Sequence, residues 1–133
     1  MESRSSETDY LKYNTLALAF LGDAVYEQFI REHLIRDGRV SGSRPDIMNR
    51  SAVKFVKATA QCESIKRLVK EGFLSEEELG LVKRARNHRV TSKAKHASMT
   101  EYKWATAFEA LLGYLYLSGQ SERLAEVMEE TYE

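Results

Sequence analysis

One cysteine and one proline occur in 133 residues, and the charges cancel, with 20 basic and 20 acidic side chains. Cys62 alone can close no internal disulfide. With neither a second cysteine nor a histidine beside it, it is a poor metal ligand, and a small buried hydrophobe is its plainer role. His33, His88 and His96 lack the close pairing that zinc sites use, so no zinc is expected. No apolar run reaches the roughly 20 residues of a membrane span, and residues 1–7 lack the apolar core of a secretory signal. The expectation is a cytoplasmic chain that meets no membrane. Pro45 is the only helix breaker of its kind, no segment alternates with period two, and no internal repeat is visible. These absences, with 43% apolar residues to build a core, point to one all-helical domain over residues 10–133 behind a flexible stretch at 1–9.

Apolar residues Leu16, Phe20, Val25, Phe29, Ile30 and Leu34 recur at three to five residues, which predicts a helix over about 14–36, capped by Asn14 or Thr15 and ended by Asp37-Gly38-Arg39. A second helix is expected from Pro45 to about residue 71, with a break near residues 61–64 where its apolar stripe loses register. Ser75-Glu76-Glu77-Glu78 has the form of a capping box and opens a short helix to about Asn87, acidic at its start and basic at its end as the helix dipole prefers. After a basic loop at about 87–99, Thr100 is expected to open a helix that ends at Ser118-Gly119, and Ser121 to cap a last amphipathic one.

Two of these helices carry an acid where apolar neighbours dominate. Asp23 interrupts the run from Leu16 to Tyr26, beside Gly22, and Glu109 interrupts the run from Ala105 to Leu117, four residues before Gly113. An ionised carboxylate in such surroundings is unfavourable unless a cation or donors answer it. If the two glycines meet where the helices cross, both acids reach one spot, and a hard divalent cation such as magnesium or manganese would relieve their repulsion. The competing reading is structural. Glu27 and Arg31 form an ordinary i,i+4 pair, and Asp23 could find an arginine across the core.

Residues Phe20-Leu21-Gly22-Asp23-Ala24-Val25-Tyr26 resemble the signature of the ribonuclease III catalytic domain, and Ala105-Thr106-Ala107-Phe108-Glu109-Ala110-Leu111-Leu112-Gly113 resembles that family's second acidic motif. Arg84-x-Arg86-Asn87 and Gly113-Tyr114-Leu115-Tyr116-Leu117 resemble the Mini-ribonuclease III branch, which is the catalytic domain alone; the similarity spans about residues 10–132. The resemblance implies an all-α homodimer with two sites along one double-stranded RNA groove. Each subunit would cut one strand to 5′-phosphate and 3′-hydroxyl ends, in maturation of precursor 23S ribosomal RNA. It assigns Asp23 and Glu109 as the catalytic, metal-binding carboxylates, with Mg2+ as cofactor and Mn2+ as a substitute. Two further acids of ordinary ribonuclease III are replaced here by Ala19 and Thr106, which implies weak metal binding. The resemblance leaves open the cleavage positions, the number of metal ions, the parts of Glu27 and Asp46, and the need for a ribosomal protein on the substrate.

Net neutrality hides a polarity. Residues 83–103 hold seven basic side chains against Glu101, a local +6, so the remainder carries −6. Such a patch attracts a polyanion that the rest of the surface repels. Conventional ribonuclease III carries a separate RNA-binding module after the catalytic domain; here Lys83, Arg84, Arg86, Asn87, Arg89, Lys93, Lys95 and Lys103 are expected to take its place, with binding that weakens steeply in salt. His88, Asn87 and Thr91 are candidates for base contacts, which the narrow major groove of A-form RNA discourages. Phe20, Tyr26, Tyr114 and Tyr116 are expected as core or dimer surface, with the helix over 14–36 as the interface. Two rivals stand beside this reading: a catalytically silent RNA-binding domain of the same fold, and a helical adaptor that only dimerises.

Overall fold

The computed structural model describes residues 12–88 and 98–132. Their regular structure is six α-helices: α1 (Thr15–Arg36), α2 (Pro45–Val56), α3 (Ala58–Lys70), α4 (Glu76–Arg86), α5 (Met99–Leu117) and α6 (Ser121–Glu129), with no strand among the described residues. The all-α expectation holds.

The centre of the arrangement is α5. Every residue from Ala105 to Leu115 is buried except Glu109. A helix apolar on all sides must be enclosed by others, and α1, α3, α4 and α6 pack around this one, with α2 laid against α1. Tyr26 meets Phe108 edge to face at 5.0 Å, and its hydroxyl lies 2.7 Å from Thr131 Oγ1, so α1 is tied to the residues after α6. Tyr114 OH donates to Glu77 at 2.6 Å, which ties α5 to α4. Both rings are buried; Phe20 and Tyr116 are exposed, as are Leu16 and Ile35. Cys62 is buried, in its plainer role.

Helix ends follow local chemistry with some corrections. Asn14, not Thr15, caps α1 by accepting from the Leu16 and Ala17 N–H groups. Ser75 and Glu78 form the expected capping box. At α5 the box is Ser98 with Glu101, two residues earlier than Thr100, because only Ser98 has an acid three residues on that can return the bond. Gln120 occupies the N-cap of α6, and Ser121 is its first helical residue. The break in the second helical stretch falls at Lys57, with extended ψ of 155°, rather than at residues 61–64. Burial decides it: α2 buries only Ala52, whereas α3 turns Gln61, Cys62, Ile65 and Leu68 inward, and one straight helix could not lay both faces on their neighbours. The expected basic loop falls mostly at 89–97, outside the described residues, as does the stretch 1–9 expected to be flexible.

Candidate active site

Helices α1 and α5 cross glycine against glycine. A Cβ placed on Gly22 would come within 2.6 Å of the Glu109 carbonyl carbon and 2.9 Å of the Gly113 nitrogen, and closer still to the Glu109 carbonyl oxygen. One placed on Gly113 would come within 2.9 Å of the Leu18 carbonyl carbon. Real Cβ atoms do not tolerate such distances to backbone, so only two glycines permit the approach. The crossing delivers Asp23 and Glu109 to one place, near enough for a hydrogen bond between their carboxyl groups.

Asp23 is exposed and Glu109 half-buried. Burial, then the Asp23 charge, then the hydrogen bond to Asp23 push the Glu109 carboxyl up to about 8 from an ordinary 4.5. A protonated Glu109 O–H can donate to the Asp23 carboxylate, which is how two acids share a site without a cation. Glu27 adds a smaller repulsion while its own carboxylate accepts from Arg31 at 3.0 Å. Asp46 pairs with Arg44 at 3.1 Å and Arg50 at 3.7 Å. Among the described residues no basic side chain pairs with Asp23 or Glu109, so the structural alternative of an arginine across the core finds no support there. An unneutralised pair of hard oxygen donors fits a divalent cation. Among the described residues no third His, Cys, Asp or Glu completes a cluster, so water would fill the remaining positions.

The two substituted positions are also accounted for. Ala19 is buried, and the Thr106 hydroxyl donates to the Tyr102 carbonyl at 3.0 Å, back along its own helix. Neither supplies an oxygen to the pair.

The Ribonuclease III domain pattern matches residues 16–120. The chain belongs to the ribonuclease III family, in its Mini-ribonuclease III branch. Mini-ribonuclease 3 of Brevibacillus brevis is 47% identical over 119 residues, covering 90% of this chain and 85% of the relative. Mini-ribonuclease 3 of Enterococcus faecalis is 42% identical over 120 residues, covering 90% and 89%. A crystal structure of a protein from Fusobacterium nucleatum superposes with a TM-score of 0.77 at 32% identity, covering 88% of this chain and 89% of that one. The α5 and α1 segments that resemble the family's second acidic motif and its signature are the two that meet at this crossing.

The basic residues named from the sequence do not all fall in view. Lys83 is exposed near the end of α4, Arg84 and Arg86 are partly buried beside it, Asn87 is the α4 C-cap, and Lys103 is partly buried on the first turns of α5. Arg89, Lys93 and Lys95 lie outside the described residues. Arg86 stacks over Trp104 at 4.7 Å, with the Lys66 ammonium 5.7 Å from the same ring, so Trp104 draws cations from α3 and α4 onto α5. The sequence pointed to no part for Trp104, and only to a helix break at Gln61, which is a wholly buried amide on α3. Gln61 had a signal: it sits four and seven residues before Ile65 and Leu68, on the stripe that apolar residues occupy.

Proposed function

We propose that this chain is a divalent-metal-dependent endoribonuclease that hydrolyses double-stranded RNA to 5′-phosphate and 3′-hydroxyl ends, in maturation of precursor 23S ribosomal RNA. The observation that carries the reading is the juxtaposition of Asp23 and Glu109, with no basic partner among the described residues, at a glycine crossing within a ribonuclease III domain. Magnesium is the cation the donor set suits, with manganese as a substitute. When bound it supplies an activated water and stabilises charge on the phosphate and the departing 3′ oxygen. Asp23 and Glu109 hold it, Asp23 from the exposed side of α1 and Glu109 from the enclosed α5, which has little freedom to move. Lys83, Arg84, Arg86, Asn87, Arg89, Lys93, Lys95 and Lys103 neutralise substrate phosphates.

One site cuts one strand, so cleavage of a duplex calls for a homodimer. The exposed apolar residues of α1 support it: Phe20 is 84% exposed and Ile35 65%, with Leu16 on the same helix. A silent RNA-binding domain is favoured by one observation, the two missing acids at Ala19 and Thr106. Incubation of duplex RNA with magnesium, beside an Asp23→Asn control, decides between them. Cleavage with mapped 5′-phosphate ends on both strands, lost in the control, supports the enzyme; an intact duplex bound by both proteins supports the silent domain.

A further inference from the structure

Gln61 lies in the second turn of α3, which packs on α5, and is 2% exposed. Its Nε2 is a buried side-chain nitrogen with no hydrogen-bond partner. An orphaned amide donor costs roughly 1–3 kcal/mol, and native interiors keep few of them. The amide lies close enough to the Glu109 carboxyl to favour its charged form a little, yet short of a formed hydrogen bond to it. Three helices therefore bring polar groups to one point in an otherwise apolar contact: Asp23 from α1, Glu109 from α5 and Gln61 from α3. Two are acceptors when ionised. The third is a donor waiting for one.

The chemistry of an amide suits that place. A lysine or arginine would neutralise Glu109 and compete with any cation for it. A neutral N–H restrains a carboxylate oxygen without adding charge, as the outer partners of metal-ligating carboxylates do. We propose that Gln61 is a positioning residue: its Nε2–H donates to the Glu109 carboxylate and fixes the orientation in which Glu109 and Asp23 share a divalent cation. This rests on the cation site of the proposed function. Thr106, turned back to the Tyr102 carbonyl, offers Glu109 no such restraint.

The test uses the full chain, stripped of metal by chelator, with Gln61→Met and Gln61→Leu as apolar substitutes of similar volume. Mn2+ affinity is titrated by electron paramagnetic resonance without RNA, and thermal melts are recorded on the metal-free proteins. A hydrogen bond to a charged group contributes enough for roughly a tenfold weakening of Mn2+ binding in both variants. The magnesium concentration for half-maximal cleavage should rise by the same factor while KM for duplex RNA at saturating magnesium stays put. Metal-free melting should be unchanged or raised, because the amide has no partner to lose. Mn2+ affinity within twofold of native in both variants overturns the proposal. So does loss of cooperative metal-free melting in both, because the amide would then be holding the fold. A native chain that binds no Mn2+ would sink the cation site itself; native binding with unaltered variants sinks only the role of Gln61.

Discussion

Adding a single methyl group at Gly22 tests the crossing on which the site depends. In an isolated helix Gly→Ala is favourable by about 1 kcal/mol, so local propensity predicts a gain. The tertiary structure predicts the opposite. The new Cβ would stand 2.6 Å from the Glu109 carbonyl carbon, where carbon atoms prefer about 3.5 Å or more, and its neighbours are backbone, which cannot rotate aside. Helices α1 and α5 must part by roughly 1 Å, a gap that forfeits a quarter to a half of each dispersion contact along the seam. Overpacking of this kind costs about 3 kcal/mol at the upper end of its usual range. Set against the propensity gain, the net loss is about 2 kcal/mol, or a melting temperature lowered by about 8 °C for a chain of this size. Circular dichroism melts of native, Gly22→Ala, Gly113→Ala and the double variant measure it. Each single variant should melt lower, and the double should lose less than the sum, since helices already parted admit the second methyl more cheaply. Melting of Gly22→Ala at or above the native temperature would refute the close approach and, with it, the reason Asp23 and Glu109 meet.

Glu109→Gln should stabilise the metal-free protein at alkaline pH. A carboxyl at about 8 in the fold and about 4.5 when unfolded contributes fully below pH 4.5 and loses its contribution as pH rises through 8. At pH 8.5 the native chain therefore carries a handicap of up to about 5 kcal/mol that the variant escapes. Chelator-treated melts at pH 5 and pH 8.5 check this, and an equal difference between the two proteins at both pH values contradicts it. Arg123→Ala should cost about 3–5 kcal/mol, because it strands a buried charge. Glu78 is 4% exposed and accepts from Arg123 at 2.8 and 2.9 Å. Burial pushes Glu78 upward, but the bonds from Arg123 and Ser75 outweigh it and hold the carboxyl below its usual range. The pair's contribution is therefore present above about pH 4.5 and fades as pH falls below it. Adding Glu78→Gln to Arg123→Ala should recover part of the loss in urea titrations; no recovery would mean that the arginine acts through packing on Phe73, which its guanidinium overlies at 4.6 Å.

Much of the architecture is written locally. The 3.6-residue spacing of apolar side chains, the capping boxes, Pro45 at the first turn of α2 and the glycines at positive φ after α1, α3 and α5 each act within a few residues, so helix number and most helix ends can be read without knowing what packs where. Asp23 and Glu109 are equally legible, because a lone acid in an apolar run is anomalous whatever the fold. Other features are set by partners distant in the chain. Phe20 and Tyr26 look alike in sequence, yet one is exposed and the other buried, because the α1 face toward α5 is chosen by Gly22 meeting Gly113. The break at Lys57 carries no glycine or proline to announce it; α3 must turn there to lay Ile65 and Leu68 on α5. Gln61 stands on the apolar stripe of α3 in the sequence, but what buries it is set only when α3 packs on α5. Sequence by itself thus determined which helices form and which acids are out of place. Only the tertiary structure decided that they meet and that Glu109 is raised by burial and by Asp23, because burial and charge repulsion depend on which surfaces pack together, and that is a property of two acids 86 residues apart along the chain rather than of either one.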